Sequence, residues 1–297
     1  MSQRESLEKL LTKKTILLDG GWGTEFQKLG LPVGAHPDLW NLEKPDVVQQ
    51  VAQSYVDAGA DVILSNTFGS NRFVLEKHGA ADKLAEINKR GAELSLAAAE
   101  KSSRDAVVFA SAGPTGVILA LGQVSESAIF DAYLEQFKAL KEGGVVAVVL
   151  ETSSDPQEAV QGVKAAKELG LFTAVTAVFD SGRKKDRTMM GATPEKYLEA
   201  VIAAGADVVG SNCGRGVESF VEICKRMKEA TDRPLWMKGN AGLPQTVDGV
   251  TTYAQTPENF ADGAMALLDE GATFIGGCCG TTPAFIAELR KRIDARG

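Results

Sequence analysis

Cys213, Cys278 and Cys279 are the residues of this chain whose type and placement could do the most chemistry. The adjacent pair sits in Ile275-Gly276-Gly277-Cys278-Cys279-Gly280-Thr281-Thr282-Pro283 and the single thiol in Gly210-Ser211-Asn212-Cys213-Gly214, each where a short apolar run gives way to glycine. Three thiolates can hold a zinc ion tetrahedrally while its fourth position stays open, as in a catalytic rather than a structural zinc site. A thiol arriving at that position is deprotonated at neutral pH, whereas a free thiol with a pKa of about 8.5 is mostly protonated. The flanking glycines remove side chains that would crowd a metal loop. The bland alternative is a set of unrelated small residues beside glycine turns; a Cys-Cys dipeptide together with Asn-Cys-Gly favours the metal. Adjacent cysteines cannot pair without backbone strain, and thiol–disulfide motifs place two residues between their sulfurs, so redox chemistry is the weaker reading. Cys224, in the helical pattern Val221-Glu222-Ile223-Cys224-Lys225-Arg226, reads as a small buried hydrophobe. His36 and His78 read as surface residues that a three-sulfur site does not need.

Something must bring these thiols together, and the chain alternates short β-branched runs with longer helical patterns from end to end. Eight strands are expected: 15–19, 61–65, 107–112, 145–150, 172–179, 207–211, 235–238 and 273–276. Helices are expected over 45–59, 82–101, 127–142, 156–169, 194–204, 217–231, 257–270 and 283–295, several opening on proline. The phrases Asp57-Ala58-Gly59-Ala60-Asp61, Ala203-Ala204-Gly205-Ala206-Asp207 and Asp269-Glu270-Gly271-Ala272 mark the same event three times: a helix stops, glycine turns the chain, a strand begins. No linker divides the chain, so residues 1–297 read as one α/β domain, a (β/α)8 TIM barrel, with an open doubly wound sheet as the alternative.

Active sites of such barrels lie at the C-terminal ends of the strands. The polar residues expected there are Asp19, Asn66, Thr67, Glu151, Asn212, Asn240 and the three cysteines. Asp19 and Glu151 are the acidic groups that could hold an ammonium ion. Backbone N–H groups at Gly20, Gly21 or the Asn66-Thr67 turn could receive a carboxylate. Asn212 and Asn240 could hydrogen-bond metal-bound sulfur or fix their loops. Lys238 stands where a Schiff-base nucleophile would stand in a metal-free lyase or aldolase barrel. Gly113-Pro114-Thr115-Gly116 lacks the lysine and spacing of a phosphate loop and reads as a shaped turn. Arg183-Lys184-Lys185-Asp186-Arg187 reads as a solvated loop, or as a docking surface for an acidic partner.

Composition narrows the partners. A formal charge of −7 without an extended basic run argues against nucleic acid and anionic membranes, and the polar N-terminus and lack of a long apolar stretch lead to the expectation of a cytoplasmic protein without a membrane span.

The segments Leu18-Asp19-Gly20-Gly21-Trp22-Gly23-Thr24, Ser65-Asn66-Thr67-Phe68-Gly69-Ser70-Asn71-Arg72, Gly113-Pro114-Thr115-Gly116, Leu150-Glu151-Thr152, Asn212-Cys213-Gly214, Asn240-Ala241-Gly242-Leu243-Pro244 and Gly276-Gly277-Cys278-Cys279-Gly280-Thr281-Thr282-Pro283 resemble, in order and over nearly the whole chain, the homocysteine S-methyltransferase family. The likeness is greatest to the homocysteine-binding barrel of cobalamin-dependent methionine synthases. It implies a zinc held by Cys213, Cys278 and Cys279, homocysteine sulfur in the open position, and substrate contacts from Asp19 and Glu151. No Asp-x-His-x-x-Gly cobalamin motif occurs, and the chain has no room for folate, cobalamin and activation modules. The expected donor is therefore methylcobalamin on a separate corrinoid protein or domain, with S-methylmethionine or betaine as the alternative. A non-catalytic thiol-binding subunit is the remaining reading.

Overall fold

The computed structural model describes residues 1–247 and 250–296. Its ten strands are β1 (Ile16–Leu17), β2 (Val62–Leu64), β3 (Val107–Ala112), β4 (Ala147–Ser153), β5 (Phe172–Ala177), β6 (Val208–Cys213), β7 (Leu235–Gly239), β8 (Pro244–Val247), β9 (Val250–Tyr253) and β10 (Phe274–Gly277). Eight of them form one parallel sheet in the order β1-β10-β7-β6-β5-β4-β3-β2. A parallel bridge between Leu18 and Val62, with Asp61 N–H donating to the Leu17 carbonyl at 2.7 Å, brings the two edges together into a barrel. The open doubly wound alternative is thereby excluded.

All eight expected barrel strands are present, with shifted ends. β1 is only two residues long, and β4 and β6 run on to Ser153 and Cys213. Proline opens the helices Pro45–Asp57, Pro156–Glu168, Pro194–Ala203, Pro257–Asp269 and Pro283–Arg296, where a missing N–H leaves no bond unmade. Asp155, Thr193 and Thr256 cap three of them with side-chain oxygens. Gly59, Gly205 and Gly271 all take positive φ after their helices, as the three repeated phrases require. The span 217–231 divides into a 3-10 turn, Val217–Phe220, and the helix Val221–Ala230.

Three additions bear on the barrel ends. The helix Gln3–Leu10, with a capping box between Ser2 and Glu5, buries Leu7 and Leu10 in the same apolar cluster as the barrel interior. A short helix, Trp22–Lys28, follows β1, and the antiparallel hairpin β8–β9 follows β7 at the opposite end of the barrel from Gln3–Leu10. Among the described residues no helix is long and apolar enough to cross a membrane.

Alternation along the strands sorts the side chains. Val107 and Phe109 in β3, Ala147 and Val149 in β4, Ala174 in β5, Val208 in β6, Trp236 in β7 and Phe274 in β10 make up the interior cluster, with the Trp236 and Phe274 rings stacked at 5.2 Å. Their strand neighbours Val108, Val148, Val175, Val209, Met237 and Ile275 join the larger cluster beneath the helices. Continuing the inward set by two residues toward the C-terminal ends gives Ser111, Glu151, Thr176 and Lys238, and by four in β6 gives Asn212. The barrel therefore carries a polar layer directly above its apolar one.

Candidate functional site

That polar layer opens into a cavity of about 260 Å³, whose wall includes Gly20, Glu151, Lys238 and all three cysteines of the sequence reading. β6 and β10 both flank β7, so Cys213 and the Cys278-Cys279 pair reach the same point from two sides. Cys213 takes φ +63° and Gly214 φ +66°, a left-handed turn that costs a cysteine roughly 1–2 kcal/mol and is held by its surroundings. On the other side, Gly280 at φ +82° lies so close beneath the Tyr253 ring that a β-carbon would overlap it.

One sulfur atom from each cysteine lies within 4.8 Å of the others, and Cys278 Sγ is 4.0 Å from Cys279 Sγ. Tetrahedral bonds of about 2.3 Å set sulfurs roughly 3.8 Å apart, so the cluster fits a zinc ion with small adjustment. Its charge points the same way. Hydrogen bonds from Cys278 and Cys279 hold the Cys213 thiol far below its ordinary range, at about 3, and contact with Cys213 pushes both partners up. Clustered thiols resist ionising together, and a dication among them would offset that repulsion and favour the thiolate form of all three.

Two asparagines brace the cluster. Asn240 donates to the Gly214 carbonyl at 2.7 Å and accepts from Cys279 N–H at 3.0 Å, tying the two cysteine loops together. Asn212 accepts from Thr152 N–H and from Thr176 Oγ1, each at 2.7 Å, donates to Thr152 Oγ1 at 2.8 Å, and brings its amide nitrogen to 4.0 Å from Cys278 Sγ. Thr152 itself sits at φ +65°. Because Asn240 joins both loops, Asn240→Ala is expected to weaken zinc affinity about 10- to 100-fold, read by competition with a chromophoric chelator, while the barrel's unfolding transition survives.

The acidic residues differ in their surroundings. Glu151 receives Ser111 Oγ at 2.5 Å and has no cation within ion-pair distance among the described residues. Burial raises its carboxyl to about 7, against the opposing pull of Lys238. Asp19 is fully buried and already bonded three times: Lys238 Nζ at 2.7 Å on one oxygen, Trp22 Nε1 at 2.6 Å and Leu64 N–H at 2.7 Å on the other. Burial lowers the Lys238 pKa, but Asp19, Glu151 and Cys278 outweigh it and keep the amine a cation. A protonated lysine is the opposite of the free amine that Schiff-base chemistry needs.

The family model for homocysteine S-methyltransferase matches residues 16–293. The chain belongs to the homocysteine S-methyltransferase family. It is 28% identical over 303 residues to a methionine synthase of Mycobacterium tuberculosis (strain ATCC 25618 / H37Rv), covering 96% of this chain and 25% of that protein. A methionine synthase of Mycobacterium leprae (strain TN) is also 28% identical, with 97% and 25% covered. The chain thus spans about a quarter of the length of these relatives. Its fold matches the metallated form of the homocysteine methyltransferase MmuM from Escherichia coli, with TM-score 0.80, 22% identity, and coverage of 97% of this chain and 99% of that one.

The remaining residues singled out in the sequence have mixed positions. Gly20 and Gly21 line the cavity, but Gly21 N–H donates to the Thr281 carbonyl at 3.0 Å. Asn66 also lines it, with its side chain donating to Pro37 and Asn41 oxygens. Thr67 is wholly buried, bonded to Ser65 and to the Ser111 carbonyl, and acts as framework. Cys224 is buried with its thiol pushed up to about 12 by burial, as a small hydrophobe would be. His36 is not a surface residue: it is buried against Asp38 and Gly69, with the exposed His78 ring stacked on it at 4.5 Å. The basic side chains of 183–187 are exposed, and Asp186 is paired with Arg226 at 2.9 Å. Ser111, Thr152 and Tyr253 also contact the site, and no local sequence pattern marks their roles.

Proposed function

We propose that this chain moves a methyl group to the thiolate of homocysteine, giving methionine, with zinc held by Cys213, Cys278 and Cys279. The observation that carries the proposal is the meeting of three sulfurs from β6 and the β10 end, all on the wall of one cavity. Zinc in that position supplies an acceptor sulfur that is deprotonated at neutral pH and still nucleophilic.

The chain's own residues do the rest. Asn212 and Asn240 hold the ligand loops so that the acceptor sulfur enters from the cavity side. Glu151, with one oxygen fixed by Ser111, takes the substrate ammonium, and Asp19 holds Lys238 and Trp22 at the back of that pocket. Gly20 and Asn66, on the cavity wall, supply the side toward which the substrate carboxylate points. The thiol proton leaves to solvent on binding. In the transfer, the methyl carbon forms its bond to sulfur as its bond to the donor breaks, with the electron pair of the broken bond left on the donor.

The donor is proposed to be methylcobalamin carried by a separate corrinoid protein or domain. Supporting this, apolar side chains are exposed near the cavity, Phe68 on its wall and Ile118, Met189 and Met190 in the neighbouring depression beside Thr152. The methionine synthase relatives, four times the length of this chain, also favour a donor delivered by other parts of a larger assembly. The test is turnover of the zinc-loaded chain with homocysteine and either free methylcobalamin or S-methylmethionine. Methionine formed from methylcobalamin supports the reading; brisk turnover with the sulfonium compound alone overturns the donor assignment, and no turnover with homocysteine and any donor overturns the proposal.

A further inference from the structure

Lys238 is the feature of this pocket that a site built only to receive an amino acid has no need of. It ends the inward face of β7 above Trp236, is 2% exposed, and lines the cavity. Its ammonium lies 2.7 Å from Asp19 Oδ1 and within electrostatic reach of Glu151 and Cys278. The pocket therefore contains a resident ammonium on its acidic wall. A ligand that brings its own α-ammonium gains Glu151 as a partner but meets Lys238 as a like charge. A ligand without one leaves Asp19 fully bonded and Glu151 with its Ser111 hydrogen bond, so no buried charge loses a partner.

We propose that Lys238 sets the acceptor range of this site, admitting thiols that lack an α-ammonium, such as 4-sulfanylbutanoate, alongside homocysteine. This rests on the reading of the cysteine cluster as a zinc site that takes up a thiol. In a pocket whose acidic wall had no cation of its own, loss of the substrate ammonium would forfeit a charge-assisted hydrogen bond and leave a buried carboxylate unpaired, a discrimination on the order of a hundredfold. With Lys238 in place the difference shrinks, because Asp19 is already paired and the Lys238 charge opposes the ammonium that Glu151 attracts.

Isothermal titration calorimetry of the zinc-loaded chain with homocysteine and with 4-sulfanylbutanoate tests this directly in the native protein. The two dissociation constants are expected to lie within about tenfold of each other. Lys238→Met should tighten homocysteine relative to the des-amino thiol and widen the ratio to on the order of a hundredfold. Lys238→Gln, which retains an N–H donor for Asp19, should move the ratio the same way and guards against misfolding of the first variant; zinc content and unfolding midpoint are measured for both. If Lys238 merely supported Asp19 as a ligand for the substrate ammonium, either variant would weaken homocysteine instead, and that result overturns the inference. So does a native preference for homocysteine of a hundredfold or more with homocysteine itself binding well, which leaves the zinc–thiol reading intact. Failure of both thiols to bind overturns the two together.

Discussion

Serine in place of Cys278 is expected to leave the purified chain almost free of zinc and to slow methyl transfer on the order of three thousandfold. The size follows from two separate losses. A free thiol is only a few per cent thiolate at pH 7, which alone costs about thirtyfold. An acceptor sulfur no longer anchored opposite the donor loses a further factor on the order of a hundred through misplacement. Cys278 is the informative position because it touches both other sulfurs and the Asn212 amide. Metal analysis of anaerobically purified protein gives the first number, expected to fall from one zinc per chain toward none; a single-turnover assay gives the second. Full zinc occupancy in the serine variant would remove the basis for the proposed chemistry.

Glu151→Gln should have two effects of opposite sign. It is expected to weaken homocysteine binding about 10- to 100-fold, since the ammonium loses its carboxylate, while leaving a des-amino thiol nearly unaffected. It should also stabilise the metal-free chain at alkaline pH. The Glu151 carboxyl rises from 4.5 to about 7 in the fold, chiefly through burial, so the folded chain holds that proton more tightly than the unfolded chain does. Its contribution to stability is thus present in full below pH 4.5 and lost as pH rises through 7, a change of roughly 3 kcal/mol. Glutamine resembles the protonated form and escapes the loss. Urea unfolding at pH 8 should therefore favour the variant by up to about 3 kcal/mol, with the gap closing toward pH 4.5. Equal stability of the two proteins across that range would show that Glu151 ionises without strain. The charge that weakens the fold at pH 8 is the one proposed to receive the substrate.

Much of this site could be read from the chain because its chemistry is concentrated in short phrases at strand ends. Cys213, Cys278 and Cys279 are marked by glycine neighbours and by ending β-branched runs, and β6 and β10 place them together. Helix boundaries were legible wherever proline and glycine punctuated them, as at Pro45 and Gly59. What was hidden depends on partners distant in sequence. Asp19 and Glu151 looked alike as acidic residues after apolar runs, yet Lys238, 219 positions from Asp19, neutralises only the former by direct contact. Ser111 is a small residue inside the apolar run of β3, and only its inward register with Phe109 marks it as a pocket group. The helix Gln3–Leu10 did have a local sign, Ser2 three residues before Glu5, whose reciprocal capping bonds the structure shows. Burial of His36 had no comparable signal, since it follows from the packing of the loop after β2 against the loop before Pro37.

The position of β7 between the two ligand-bearing strands has a consequence for biogenesis. One ligand is synthesised with β6, but its partners arrive only with β10, and the three thiols cannot converge until that final staves-in-a-cask step seats β10 between β7 and β1. Under the proposed zinc assignment, the full set of three ligands exists only once β10 is seated, so metal uptake would report completion of the ring.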